Sequence, residues 1–296
     1  MKLKGIDVSH HQGKIDWEAV KASGIEFAII RVGYSNRSGN GGLNYDKRWI
    51  YNIQQCNKLG IPVGVYIYCY DKSAAAASIT TRAFVKAIKN YKIEYPVIYD
   101  IEYDNKDLSK YVNTSIVNAA MKEIENAGYY GMVYASRDFF LNHLNMSDLK
   151  QSDKWEAAYR STDDNTVENG IWQYSSTGRV AGIVGNVDLD YAYKDYPMLI
   201  KNAGLNGFVA EKTETVKDSV DSTVNANTTT KTATTVTKTV TANKLNVRKG
   251  PGTGYPVVRI IKKGTTVKVL SDTTTSINDG WAKIGENEYV STKFIK

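Results

Sequence analysis

Short apolar runs alternate with amphipathic stretches through the first two-thirds of the chain. Strands are predicted at Gly5–Val8, Phe27–Val32, Val63–Tyr68, Pro96–Ile101, Met132–Ala135, Trp155–Ala158, Ile171–Tyr174 and Val187–Leu189. Several are apolar at consecutive positions, as parallel strands covered on both faces are. Helices fit between the earlier ones. Asp16 is placed to cap Trp17–Ala22, with Gly24 after it; a second helix runs over Tyr45–Leu59 before Gly60, and a third over Ala74–Asn90. The clearest is Ser115–Ala127, closed by Gly128, with Ile116, Ala119, Ala120, Glu123 and Ile124 spaced to give one largely apolar face. Eight strands with helical crossovers predict an α/β fold, a TIM-like (β/α) barrel, with a doubly wound open sheet as the alternative. Helical patterns are short beyond Ala135, so the barrel is expected to be irregular in its later units.

The pattern then changes. Between about Ala203 and Thr241 threonine dominates, large aromatics are missing and no apolar stripe persists. Such a segment buries too little apolar surface to offset its ordering entropy and reads as a flexible linker, with a local Thr/Val strand as the lesser alternative. From there on, β runs at Leu245–Val247, Val257–Ile261, Thr266–Leu270, Trp281–Ile284 and Tyr289–Val290 are punctuated by Lys249-Gly250-Pro251-Gly252, Lys263-Gly264 and Asn278-Asp279-Gly280. They predict a small all-β barrel. The expected domains are therefore 1–200, a Thr-rich linker at 201–240, and 241–296.

Charge sharpens this division. The net +7 is uneven: residues 1–198 carry 23 basic and 23 acidic side chains, whereas residues 241–296 carry 10 and 4. A basic terminal module fits an anionic partner, nucleic acid or a charged wall polymer, or simply a solvated lysine-rich surface. Cys56 and Cys69 read as buried free thiols, and His10, His11 and His143 have no metal-ligand spacing. No metal and no cofactor is expected. No stretch approaches the roughly 20 apolar residues of a membrane helix. The polar residues Gly5–His10 after Met1-Lys2-Leu3-Lys4 do not form the apolar core of a secretory signal, which predicts a product made in the cytoplasm.

Candidate chemistry lies at strand ends. Asp7 ends the first strand, Asp100 and Glu102 the fourth, and Asp188 lies in the last. If all strands run the same way, these carboxylates converge on the face where such barrels hold their active sites. Asp100 and Glu102, two residues apart, share a side. Crowded carboxylates separate in pKa, so one keeps a proton while others ionise, which is what glycoside cleavage requires. Tyr66, Tyr68, Tyr99, Tyr134, Trp172 and Tyr174 lie on or beside strand ends and offer stacking surfaces. Asp104 and Asp190 read as turn or cap residues, and Arg31 as either a sugar contact or a partner for the acids.

Taken together, Gly5-Ile6-Asp7-Val8-Ser9 with Gln12-Gly13, Phe27-Ala28-Ile29-Ile30-Arg31, Tyr99-Asp100-Ile101-Glu102, Trp172-Gln173-Tyr174 and Val187-Asp188-Leu189 make residues 4–197 resemble the family 25 glycoside hydrolases. The resemblance implies a retaining β-1,4-N-acetylmuramidase acting on peptidoglycan. It implies Glu102 as general acid/base, Asp100 as nucleophile or as the group orienting the substrate acetamide, and Asp7 and Asp188 as supporting carboxylates. Arg31, Tyr66, Tyr68, Tyr134, Trp172 and Gln173 are the expected substrate contacts. Leu245-Asn246-Val247-Arg248, Gly250-Pro251, Gly280-Trp281-Ala282-Lys283-Ile284 and Tyr289-Val290 resemble a bacterial SH3-like domain. That resemblance implies peptidoglycan as a second contact and favours anionic wall polymers over nucleic acid; no membrane insertion is expected. The enzyme would reach the wall after release, as a phage-type endolysin or released autolysin. A non-catalytic wall-binding or adhesion protein and a chitin-like specificity are the alternatives.

Overall fold

The computed structural model describes residues 2–149, 152–209, 234–252, 255, 257–271, 280–285 and 288–296. It divides into two units, Met1–Ala210 and Glu211–Lys296.

In the first unit the strands are β1 (Leu3–Val8), β2 (Phe27–Ser35), β3 (Leu43–Tyr45), β4 (Val63–Tyr68), β5 (Val97–Asp100), β6 (Gly131–Ser136), β7 (Asp153–Ala157), β8 (Ile171–Gly178) and β9 (Val187–Ala192). The helices are α1 (Trp17–Ala22), α2 (Trp49–Leu59), α3 (Ala74–Ile88), α4 (Lys110–Asn126), α5 (Arg137–His143) and α6 (Tyr196–Asn202). Sheet order is β1-β9-β8-β7-β6-β5-β4-β2-β3, and β1 also pairs with β2, closing an eight-stranded barrel with β3 attached outside it. The TIM-like class expected is therefore the one observed, with one correction. β9 runs antiparallel to both β8 and β1, so not all strands share a direction. A short β8–β9 connection replaces the last helical crossover, and only an antiparallel neighbour can be reached that way.

Strand alternation sorts the apolar residues into two layers. Ala28, Ile30, Val63, Val65, Val97, Tyr99 and Val133 face the helices, in one cluster with Val20, Ile53, Phe84, Val117 and Ile124. Phe27, Ile29, Tyr66, Ile98, Met132, Tyr134, Trp155 and Ile171 fill the barrel. Gly5 admits this filling: a Cβ there would lie 2.2 Å from Phe27 Cζ.

Helix margins differ from expectation where polar side chains do structural work. α4 begins at Lys110 because Ser109 accepts from Val112 N. Its first turn carries no apolar stripe; Asn113 is buried instead, donating to the carbonyls of Asn105 and His143. α2 starts at Trp49, because Tyr45 ends β3 and Asp46 is drawn inward to Arg31. Beyond β7, residues 158–170 contain no helix. Arg160 ties that loop, bonding Glu156 at 3.0 Å and Asp163 at 2.9 Å. Cys56 and Cys69 are buried free thiols. Among the described residues no helix is long and apolar enough to cross a membrane.

The second unit holds β10 (Thr234–Thr239), β11 (Lys244–Arg248), β12 (Val257–Lys262), β13 (Thr266–Ser271), β14 (Trp281–Gly285) and β15 (Glu288–Ser291). They form sheets β12-β11-β15-β14 and β10-β13 around Val240, Leu245, Val247, Ile261, Val267, Val269, Ala282, Val290 and Ile295. Both margins of the Thr-rich stretch are structured. Asn206 donates to the carbonyls of Ile93 and Tyr95, and Thr234–Thr239 is the strand that alternating Thr and Val permit, paired along β13. The part of the proposed linker at 210–233, and the turn at Asn278-Asp279, lie outside the described residues.

Gly5→Ala is expected to destabilise the first unit by about 1–3 kcal/mol, through overpacking against Phe27. Urea denaturation followed by tryptophan fluorescence measures this.

Candidate active site

β1 delivers Asp7, β5 delivers Asp100 at its last position, and Glu102 follows at the next inward-facing position. β9 delivers Asp188, which lies opposite Asp7 in the ladder. Because β9 is reversed, Asp188 sits near its N-terminal end rather than its C-terminal end; the reversal is what brings it to the same mouth as the others. Partners facing each other in an antiparallel pair point to one side, about 5 Å apart.

A fifth carboxyl joins them. Asp190, assigned by sequence to a turn or cap, is fully buried. Its Oδ1 accepts from Trp155 Nε1 at 2.8 Å. The signal for it was present: it stands two residues after Asp188, on the same face of an extended strand.

Trp155, Tyr66 and Tyr134 make an aromatic floor beneath the acids, with ring centroids 6.0 Å and 4.3 Å from Trp155 to the two tyrosines. Over that apolar floor, charge is costly. Burial pushes Asp7 well above the usual carboxylate range, and the charges of Asp190 and Asp188 add to it; a hydrogen bond from Gln173 works the other way. Asp100 is pushed well up by burial, by the charge of Glu102 and by a hydrogen bond between the two carboxyls. Glu102 is also raised by burial, with the charges of Asp104 and Asp188 reinforcing it and the bond to Asp100 opposing it. Burial pushes Asp188 up to about 6.

Gln173 organises the other side. Tyr134 and Tyr159 donate to its Oε1 at 3.0 and 3.1 Å, so its Nε2 is turned toward Asp7 Oδ2, 2.7 Å away. Tyr159, from the helix-free loop, was not identified by sequence, because a tyrosine outside any strand carries no pattern.

The remaining expected contacts divide. Tyr68 reaches the rim and donates to Asp104 at 2.5 Å. Arg31 is an ion-pair partner, but of Asp46: its Nε and Nη2 bond Asp46 Oδ2 at 3.0 and 2.9 Å, and His10 N–H meets the same oxygen at 3.0 Å. Burial alone would raise Asp46; bonds from Arg48 and His10 N–H and from the His10 and Arg31 side chains outweigh it and hold it below the usual range. Trp172 is not brought to the mouth. Its neighbour Gln173 takes the inward position, so Trp172 turns out of the barrel, donates to Ala158 O at 2.8 Å and packs against Tyr174 and Tyr191.

Comparison with known proteins follows this division of the chain. Residues 6–183 match glycosyl hydrolases family 25, and residues 243–296 match the bacterial SH3 domain. The autolytic lysozyme of Clostridium acetobutylicum is 27% identical over 190 residues, 64% of this chain and 55% of that protein. The modular autolysin LytC of Streptococcus pneumoniae superposes with a TM-score of 0.57 at 33% identity, covering 65% of this chain and 47% of LytC. A bacterial lysozyme from Streptomyces coelicolor gives 0.56 at 24% identity, covering 70% of this chain and 98% of that one. The chain thus matches about half the length of the first two.

The raised acids fix a sign for stability. A carboxyl whose folded pKa exceeds its unfolded one binds more protons when folded, so its contribution is present below the unfolded value and lost as pH rises through the folded value. For Asp188 that window runs from its ordinary 3.8 to about 6. Asp188→Asn is therefore expected to raise Tm above wild type at pH 7 but not at pH 4, as calorimetry at the two pH values measures.

Proposed function

The chain belongs to glycosyl hydrolases family 25, and from that premise we propose that it hydrolyses the β-1,4 bond between N-acetylmuramic acid and N-acetylglucosamine in peptidoglycan, with retention. The observation that carries this reading is the placement of Asp100 at the end of β5 and Glu102 two residues on, both inward over an aromatic floor that raises them together.

The proton of the Asp100–Glu102 pair lies toward Asp100 in the resting site; in this reading it passes to Glu102, which delivers it to the departing sugar oxygen and leaves Asp100 ionised. As the C1–O bond breaks and that proton moves to the leaving oxygen, positive charge grows at the anomeric carbon. Asp100 meets that charge, either by bonding to the carbon or by orienting the 2-acetamido oxygen to do so. Glu102, now ionised, takes a proton from the incoming water, whose oxygen attacks the anomeric carbon from the face the leaving group left. Two inversions return the original configuration. Asp7 and Asp188 supply negative charge beside the cleaved bond, while Tyr66, Tyr68 and Tyr134 line the sugar path. Gln173 holds Asp7, and the charge of Arg31 favours the ionised form of Asp100.

The second unit is the wall anchor in this reading. Its surplus of basic residues suits a polymer that bears phosphate or carboxylate, and its match to the bacterial SH3 domain supports a peptidoglycan contact. The site of action is the cell wall, reached after release.

Glu102→Gln is expected to abolish wall lysis while leaving the circular dichroism spectrum near wild type and Tm no lower, since glutamine keeps the shape but cannot deliver a proton. Digests of purified peptidoglycan should yield reducing muramic acid ends by mass spectrometry; reducing glucosamine ends or released peptides would refute the bond assignment. Removing residues 211–296 should weaken wall binding in a pull-down more than it slows cleavage of soluble glycan fragments. Equal loss on both would refute the anchoring role.

A further inference from the structure

Asp190 has no place in the scheme above, yet it is the most enclosed of the five acids. It lies one inward position deeper than Asp188 on β9, in register with Gly5 on β1 and Gln173 on β8. One oxygen is committed to Trp155 Nε1. The other, Oδ2, is buried and meets no N–H or hydroxyl donor of the protein. A buried carboxylate oxygen without a donor is costly. The neighbouring carboxyl is that of Asp7: β1 and β9 pair Asp7 with Asp188 and Gly5 with Asp190, so Asp190 stands on the same inward face, diagonally across the ladder from Asp7 and within side-chain reach. Two carboxyls accept but do not donate unless one carries a proton.

We propose that Asp190 is a positioning residue that shares one proton with Asp7, anchoring the Asp7 carboxyl from below. Asp7 is then gripped from two directions. Gln173 Nε2 donates to its Oδ2 from β8, and the shared proton ties it to Asp190 on β9. Both grips are themselves braced, Gln173 by two tyrosine hydroxyls and Asp190 by the Trp155 indole. The groups around the pair are Tyr66 from β4, Trp155 from β7, Gln173 from β8, Asp188 on the same strand, and Glu102 beyond β5. None of these is a cation, so a proton is what offsets the crowding of negative charge. Burial and the charge of Asp188 favour its retention.

The function of such a pair is to fix both the direction and the charge of Asp7. One proton between two acids leaves a single negative charge, delocalised and held in place, next to the bond to be cleaved. This consequence for catalysis rests on the hydrolytic reading; the pairing itself does not.

Two measurements test it on the full chain. The first needs no activity. The Trp155 indole N–H resonance, assigned in 15N-labelled protein, reports on Asp190; it should move with pH in wild type, and Asp7→Asn should shift or remove that titration step. An unchanged titration in the Asp7→Asn protein would overturn the pairing, whatever the protein cleaves. The second is kinetic. Asp190→Asn keeps an acceptor for Trp155 and offers Asp7 an N–H, so Asp7 stays ionised without a shared proton. The acidic limb of its kcat profile should move to lower pH, with kcat at neutral pH within about tenfold of wild type, since an amide substitutes for the bond. Asp190→Leu removes both contacts, and kcat should fall about 100-fold with KM nearly unchanged, the scale of loss expected when a catalytic group is mispositioned. A pH profile in Asp190→Asn superimposable on wild type, or wild-type kcat in a folded Asp190→Leu, would show Asp190 to be merely structural.

Discussion

Five carboxyls placed over a floor of tyrosine and tryptophan cannot all be ionised, and much of the first unit is arranged around that constraint. Each charge removed from water there costs several kcal/mol unless it is paired or neutralised. Among the described residues no cation forms an ion pair with the acids. Arg31 is bonded to Asp46, and its charge lowers Asp100 only against the larger effect of burial. What remains is protonation and hydrogen bonding: Asp100 against Glu102, Gln173 to Asp7, Trp155 to Asp190. A site assembled this way carries raised pKa values as a consequence of its architecture, and these are what acid–base chemistry near neutral pH uses.

The core of the site was legible because two periodicities agree in it. A buried strand of period two ending in Asp100-Ile101-Glu102 places both acids inward, whatever the rest of the fold does. Asp188 was found as well, though for a partly wrong reason: the expected parallel strand became an antiparallel one, and its opposite end faces the mouth. Asp190 was passed over because an isolated acid is most often a cap, and only a strand's alternation distinguishes the two cases. Trp172 shows the same rule failing by one residue. Aromatic chemistry suggested a sugar platform, but parity gives the inward position to Gln173 and leaves Trp172 outside.

Long-range polar pairings were the least visible. Asp46 with Arg31 and His10, and Tyr159 with Gln173, join segments whose spacing in the chain says nothing about contact. The wall of the barrel without helices follows the same logic. Where a helix would cover β8 and β9, their outer faces are covered by Trp172, Tyr174 and Tyr191, with Lys2 lying 3.8 Å over the Tyr191 ring. Amphipathic stretches announce helices, whereas a layer of aromatic side chains supported by cations has no comparable signature.

The pairing of β1 with β9 also has a bearing on time. Asp7 is joined to Gln173 across 166 residues of sequence, and to Asp188 and Asp190 on β9 across still more. Asp100 and Glu102, by contrast, stand two residues apart and are present together from the moment their strand is made. Contacts of such long range form late, after loop-closure entropy has been met. During synthesis the N-terminal strand therefore waits, unpaired on one edge, until the β8–β9 hairpin has emerged. Ring closure and completion of the acid cluster are then a single event, and a partly made chain cannot assemble the full constellation early.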